Sequence, residues 1–188
     1  MDGPLRAFAS LPGRVFLDSS VLQTLHEYGG DVYENEPLSP SDRIMSVTHG
    51  VENLDALRHI FRVNERAHFE FALSDNSLCE VQQRGDRRYL QWAYDVLDYW
   101  MICLAEAGGP SEQTVELASV LDSPRFNYLS RRDRALIRDA VFLGCEAFLT
   151  MEEKLPKNRV HLQRELGLDI LRPMDYWALL KPWAALWF

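Results

Sequence analysis

The sequence predicts an α/β domain in which helices cover both faces of a parallel β-sheet. Short apolar runs alternate with longer stretches of helical periodicity along the 188 residues. Helix candidates follow most of the strand candidates, and such crossovers give parallel strands with helices on both faces. A chain of this length most simply forms one domain with a single core, with or without appendages.

The first half of the chain contains two predicted strand–helix units. Residues 14–17 form a β-branched and apolar strand, and a helix over residues 21–28 is expected to stop at the glycine pair that follows it. Apolar residues then recur with helical spacing over residues 54–63. Residues 69–73 alternate as a second strand and run into a Ser-Asp-Asn cap, which begins the helix that carries Glu80.

The middle of the chain is predicted to be helical. Apolar residues recur at spacings of three and four over residues 89–104, and a Gly-Gly-Pro sequence ends this long amphipathic helix. A shorter helix is predicted over residues 111–121. Ser130 begins the next helix, whose apolar side continues to Gly144. The aromatic stripe of the long helix is expected to lie in the core or at a subunit contact.

Two further strands and a terminal helix complete the prediction. Residues 146–150 form the third strand, residues 170–171 the last one, and residues 176–180 a terminal turn of helix. The last residues are too apolar to extend freely into water, so we expect them to dock on their own domain or across a homodimer interface. The predicted organisation is an N-terminal extension over residues 1–13, a domain over residues 14–180 and an apolar tail over residues 181–188.

Composition excludes several classes of protein. With 47% hydrophobic and 26% charged residues the chain has globular composition, and no apolar run approaches the ~20 residues of a membrane span. The N-terminus lacks the layout of a secretory signal, so we expect a cytoplasmic protein without membrane association. The net charge of −8 argues against non-specific coating of nucleic acid. Cys79, Cys103 and Cys145 are expected to be reduced core thiols.

Four acidic residues lie at the ends of apolar runs rather than on polar faces. Ligands of open α/β sheets bind at the carboxyl ends of the strands, and carboxylates gathered there repel one another unless a hard cation lies between them. Each acid alone has an ordinary explanation, such as a helix cap or an exposed helical position. Asp139 is expected to lie off such a site. The four acids are Asp18, Glu80, Asp133 and Glu152.

Arginines cluster beside two of these acids. The guanidinium group is planar and suits phosphate better than the point charge of lysine. The alternative is that these arginines only pair with nearby acids on the surface. The six candidates for phosphate contacts are Arg84, Arg87, Arg88, Arg131, Arg132 and Arg134.

The acidic motifs, in their order and spacing, resemble those of the PIN domain family of small metal-dependent nucleases. The resemblance covers residues 15 to about 180 and is most specific in the last acidic motif, with a small residue, an acid, an apolar pair, threonine, an acid and leucine in sequence. Residues 168–173 are similar to the family's closing strand and proline. The motifs are VFLDSSVL at residues 15–22, LSDNSLCEV at 73–81, DRALIRDA at 133–140 and GCEAFLTMEEKL at 144–155.

The resemblance implies a three-layer Rossmann-like fold and hydrolysis of RNA phosphodiester bonds with Mg²⁺ or Mn²⁺. Asp18 would be the central metal ligand, Asp133 a second, and Glu80 and Glu152 direct or water-mediated partners. The hydroxyls of Ser20 and Thr150 would orient a carboxylate or the attacking water. Two features depart from the family pattern. The fourth acid is usually aspartate, whereas Glu152 stands there with Glu153 beside it, and residues 29–67 are longer than in compact toxin-like members.

Three alternatives remain open from the sequence. The chain could be the toxin of a toxin–antitoxin pair, whose antitoxin would cover the acidic pocket, or a degenerate PIN module that binds RNA or protein without cutting. A phosphatase of the haloacid dehalogenase type also begins with an apolar strand that ends in aspartate. Such an enzyme needs a second aspartate two positions on, and Ser20 occupies that position.

Overall fold

The computed structural model describes residues 8–106 and 112–186, and in this part the predicted α/β fold is confirmed. Four parallel strands form one sheet in the order β2-β1-β3-β4. This arrangement is compatible with a three-layer Rossmann-like fold. The strands are β1 (Arg14–Leu17), β2 (Glu70–Ala72), β3 (Ala147–Leu149) and β4 (Asp169–Leu171).

Helices connect the strands and occupy both faces of the sheet. Short 3₁₀ turns join several of them, including Phe8–Ser10 before β1 and Lys181–Leu186 at the end of the described chain. The α-helices are α1 (Ser19–Glu27), α2 (Gly29–Glu34), α3 (Gly50–Ala67), α4 (Asp75–Gln83), α5 (Arg87–Glu106), α6 (Glu112–Ser119), α7 (Arg131–Phe142), α8 (Arg159–Leu166) and α9 (Pro173–Leu180).

Strand β1 sends its side chains into two hydrophobic cores because successive residues of a strand point to opposite faces. Val15 and Leu17 belong to the core that α1, α3, α5 and α9 cover. Phe16 belongs to the core that α6, α7 and α8 cover, where its ring stacks on that of Phe148 with centroids 5.3 Å apart. The sheet is therefore the middle layer of three.

The register of the central strands brings two candidate site residues to the same edge. Leu17 pairs with Leu149, so Asp18 and Thr150 both follow directly after their strands. The backbone N–H of Asp18 donates to the carbonyl of Leu149 at 2.9 Å, which continues the ladder by one residue. Because parallel strands end at one edge, the first and fourth acidic motifs meet there.

Residues outside the predicted domain boundaries also pack on the domain. The Tyr176 hydroxyl donates to the Pro12 carbonyl at 2.8 Å, and burial raises the pKa of Tyr176 above its ordinary range. The rings of Phe8 and Trp183 meet edge to face with centroids 5.7 Å apart, and Trp183 packs against the core of α3 and α9. The tail thus contacts its own domain, while Trp187 and Phe188 lie outside the described residues.

Several local predictions differ from the structure. The glycine pair does not end the helical region but begins α2, because α1 already ends at Tyr28. Helix α8 was not predicted from the sequence. Helix α9 begins at Pro173, since proline is well suited to the first helical position.

Within the described residues, no helix is long and apolar enough to cross a membrane.

The prediction of core thiols is correct for one cysteine and wrong for another. Cys145 is free and buried, and burial raises its pKa to about 12. Cys79 is free but exposed, because α4 turns Leu78 and Val81 towards the core instead. The side chain of Cys103 lies outside the described part of the chain.

Candidate functional site

The Asp18 carboxylate is buried at the carboxyl end of β1, with 7% of the residue exposed. Asp18 occupies the N-cap position of α1, but its side chain makes no capping hydrogen bond. Its Oδ2 instead accepts hydrogen bonds from the hydroxyls of Ser20 at 2.6 Å and Thr150 at 2.7 Å. Its Oδ1 has a long contact with the Ser19 hydroxyl at 3.4 Å. Helix capping therefore does not explain this carboxylate.

The two hydroxyls that hold Asp18 are themselves fixed by backbone donors. The Ser20 hydroxyl accepts from the N–H of Met151 at 3.0 Å, and the Thr150 hydroxyl accepts from the N–H of Glu152 at 3.1 Å. Each hydroxyl has one proton, and Asp18 receives both. This network sets the Asp18 rotamer and ties residues 151–152 to the same edge of the sheet. Of the three supporting residues predicted from the sequence, Ser20 and Thr150 contact Asp18, and the third is Glu153.

Glu80 is a buried carboxylate rather than an exposed helical residue, with only 5% of its surface accessible. It lies on α4, and its Oε1 forms an ion pair with the guanidinium Nε of Arg132 on α7. Its Oε2 is buried without a hydrogen-bond partner among the described residues. A buried carboxylate oxygen without a donor is costly, so this atom is available to a further cationic or donor group.

Asp133 takes part in a capping box at the start of α7. The Ser130 hydroxyl accepts from the Asp133 N–H at 3.0 Å, and the Asp133 Oδ2 accepts from the Ser130 N–H at 3.3 Å. The capping explanation therefore applies to one of its oxygens. Asp139 accepts from Ser74 at 2.5 Å and from Asn76 at 2.9 Å at the start of α4.

Glu152 connects the acids electrostatically. Its pKa is raised above its ordinary value, chiefly by desolvation and then by the charges of Asp18 and Asp133. Lys154 and Arg132 lower this pKa in part. Asp18, Asp133 and Glu152 therefore act on one another as like charges, and Arg132 supplies part of the opposite charge.

Glu153, the neighbour of Glu152, acts on a different group. The pKa of Arg172 is raised, first by its hydrogen bond to Asp175 and, more weakly, by the charge of Glu153. Glu153 therefore acts electrostatically on Arg172. Glu152, which feels Asp18, is the better candidate for the fourth acid.

The predicted phosphate-binding arginines fall into two groups. Arg132 is paired with Glu80, and Arg134 directs its guanidinium at the Leu129 carbonyl at 3.4 Å. The Nε atom of Arg134 is buried without a partner among the described residues, which is unusual for a residue that binds phosphate in solution. The remaining four are exposed: Arg84, Arg87, Arg88 and Arg131.

Tyr89 was not identified from the sequence because its spacing in the long helix is that of a core residue. It is buried, and its hydroxyl has no hydrogen-bond partner among the described residues. Burial raises the pKa of Tyr89 to about 12, with Arg84 lowering it and Glu27 and Asp18 raising it. Its hydroxyl is thus within electrostatic reach of Asp18.

The donor chemistry of the site fits a hard divalent cation. Asp18, Glu80, Asp133 and Glu152 offer only carboxylate oxygens, which Mg²⁺ and Mn²⁺ prefer. The buried oxygen of Glu80 without a partner and the like-charge field on Glu152 are both relieved by added positive charge. Within residues 8–106 and 112–186, no three acidic, histidine or cysteine side chains converge closely enough to hold an ion as they stand.

Replacing Glu152 by glutamine is expected to stabilise the metal-free protein at pH 7. The raised pKa means that the folded state binds the Glu152 proton more tightly than the unfolded state, so the charged form costs stability above the folded pKa. The gain should be a few tenths of a kcal/mol to about 1 kcal/mol, because the side chain is exposed and solvent screens it. It should vanish near pH 4, where unfolded glutamate is also largely protonated.

Urea unfolding with chelator at both pH values measures this effect. Glu153→Gln is the matched control, since it removes the same charge one position away and should not stabilise. A Glu152→Gln variant that is less stable than the parent at pH 7 would contradict the repulsion of Glu152 by Asp18 and Asp133.

No family model, no curated protein and no solved structure matches the chain.

Proposed function

We propose that this protein is a divalent-metal-dependent endoribonuclease with the acidic site of a PIN domain. The observation that carries the proposal is the position of Asp18. A buried carboxylate at the edge of the sheet is held by two hydroxyls instead of capping its helix. Buried charges are paired with an opposite charge or coordinate a metal, and the hydrogen bonds that hold Asp18 come from neutral hydroxyls.

Asp18 is suited to be the central ligand of a cation. Its Oδ2 is saturated by the Ser20 and Thr150 hydroxyls, whereas Oδ1 makes only the long Ser19 contact among the described residues. Hydroxyl donors that fix a carboxylate in this way act as its supporting shell, and loss of such support typically lowers metal affinity about 10- to 100-fold. Ser20 and Thr150 are therefore proposed as positioning residues.

The other acids have distinct proposed roles. Glu80 and Asp133 would complete the ligand set with Asp18, while Glu152 would contribute directly or through water. A bound Mg²⁺ or Mn²⁺ would supply Lewis acidity at the phosphoryl group and lower the pKa of water. Added positive charge would also relieve the repulsion from Asp18 and Asp133 that helps to raise the pKa of Glu152.

RNA would be held locally rather than by the whole surface. The net charge of −8 disfavours a broad electrostatic attraction, so binding has to come from nearby cations. Four exposed arginines follow Glu80 or precede Asp133 in the chain and can contact phosphates with planar donors. These are Arg84, Arg87, Arg88 and Arg131.

Purified protein is expected to cleave unstructured single-stranded RNA with Mn²⁺ or Mg²⁺ and to be inactive with excess chelator. The reason is that carboxylates alone do not supply the positive charge needed at a phosphodiester. Gel analysis of a labelled oligonucleotide gives the rate under the three conditions, and labelling of either end shows whether the cut is internal.

Glu116→Gln serves as a control because it removes an exposed carboxylate of α6 and should leave cleavage unchanged. Equal cleavage rates with metal and with chelator would overturn the nuclease proposal. Chelator-sensitive RNA binding without cleavage would favour the degenerate module, for which the Arg132–Glu80 ion pair is the supporting observation.

A further inference from the structure

Arg132 joins an exposed position to a buried one. Its side chain is 55% exposed, yet its guanidinium reaches the carboxylate of Glu80, whose side chain is 6% exposed. The two residues lie 52 positions apart on different helices. The ion pair therefore links α4 to the first turn of α7 directly beside Asp133.

The pair leaves the Glu80 carboxylate only half satisfied. Its Oε1 contacts Arg132, while its Oε2 is buried without a partner among the described residues. The ion pair thus covers one oxygen of Glu80 and leaves the other for a cation.

We propose that Arg132 is a positioning residue that holds Glu80 in the metal-free protein and competes with a divalent cation for that carboxylate. When a cation occupies the acids, Arg132 leaves Glu80 and becomes available to an RNA phosphate. This inference rests on the proposed function and adds a linkage between cation binding and RNA binding.

The geometry makes such an exchange feasible at low cost. A buried carboxylate without a counter-charge is strongly destabilising, so Glu80 needs Arg132 for as long as no cation is present. Arg132 itself is more than half exposed, and a guanidinium released into water loses little. Its planar donors then match a phosphate as well as a carboxylate.

The test compares Arg132→Met with Arg131→Met. Isothermal titration calorimetry or thermal shift measures the Mn²⁺ affinity of each variant without RNA. Both variants remove one positive charge from the start of α7, but only the first breaks the pair with Glu80. Arg132→Met should bind Mn²⁺ about three- to fivefold more tightly than the parent, the upper range of competition expected of an ion pair with one exposed partner. Arg131→Met should change the Mn²⁺ affinity by less than about twofold, because an exposed charge is screened.

RNA binding provides the second readout. At saturating Mn²⁺, Arg132→Met should raise the KM for RNA, whereas Arg132→Lys should recover part of the loss because it keeps the charge. The double variant Glu80→Gln/Arg132→Met covers the case in which the single variant folds poorly, since a glutamine at position 80 needs no counter-charge. In the Glu80→Gln background, Arg132→Met should alter Mn²⁺ affinity by less than about twofold, which isolates the coupling between the two residues.

Each outcome decides between distinct conclusions. A parent that binds Mn²⁺ while Arg132→Met and Arg131→Met bind it equally well would overturn this inference and leave the proposed function intact. An equal effect of Arg132→Met in the parent and Glu80→Gln backgrounds would also overturn it. A parent without any Mn²⁺ response would contradict the inference and the proposed function together.

Discussion

Replacement of Asp18 by asparagine is expected to lower metal-dependent cleavage of RNA by at least about 100-fold. Loss of a residue that only supports a metal ligand costs up to about 100-fold, and loss of the central ligand itself should cost more. Asparagine keeps the shape of the side chain and one oxygen that can accept from Ser20 and Thr150. It removes the negative charge that a divalent cation requires. The loss should therefore appear in catalysis and in cation binding but not in folding.

Thermal melts separate these effects without knowledge of the substrate. In chelator, Asp18→Asn should be as stable as the parent or more so, because one of several like charges is gone. Mn²⁺ binds the folded site and should raise the melting temperature of the parent by mass action. The same concentration should raise that of Asp18→Asn far less.

The control for this experiment is Glu116→Gln, an exposed position on α6, which should show the full Mn²⁺ shift of the parent. A metal-free Asp18→Asn protein that is clearly less stable than the parent and keeps an undiminished Mn²⁺ shift would mean that Asp18 has only a structural role.

Replacement of Phe148 by alanine is expected to reduce the free energy of unfolding by about 3–5 kcal/mol, the usual cost of removing a buried aromatic ring. Phe148 is 1% exposed and stacks on Phe16 across the β1–β3 pair, with an interplanar angle of 14°. Its loss leaves a cavity between the sheet and α7. Because Thr150 lies two residues further on, the hydroxyl network of Asp18 should also loosen.

Urea unfolding followed by circular dichroism measures the change. Val160→Ala is the matched control, since Val160 is 74% exposed and its truncation should alter stability by less than about 0.5 kcal/mol. The prediction is wrong if the free energy of unfolding of Phe148→Ala lies within about 1 kcal/mol of that of the parent, well below the usual cost. Such a result would show that the core on this side of the sheet contributes little to stability.

The strands and most helices of this protein follow from local sequence. The sequence of residues 14–17 indicates a buried strand, because its consecutive apolar residues need cover on both faces and a parallel sheet between helices provides it. The position of Asp18 at the end of this run also places it at the carboxyl edge without further information. Periodicity and caps are short-range properties, so they are readable from the chain alone.

The partners of each site residue were decided only by the tertiary structure. The sequence allowed a capping role for both Asp18 and Asp133, and packing left that role to Asp133 while it turned Asp18 towards Thr150, 132 positions away. Helical spacing alone also did not reveal that the Tyr89 hydroxyl is buried without a partner among the described residues. Nor did it reveal that Cys79 is exposed. The Arg132–Glu80 ion pair depends on how α4 lies against α7. Such contacts join distant parts of the chain, and their energies depend on burial and distance, which local sequence does not fix.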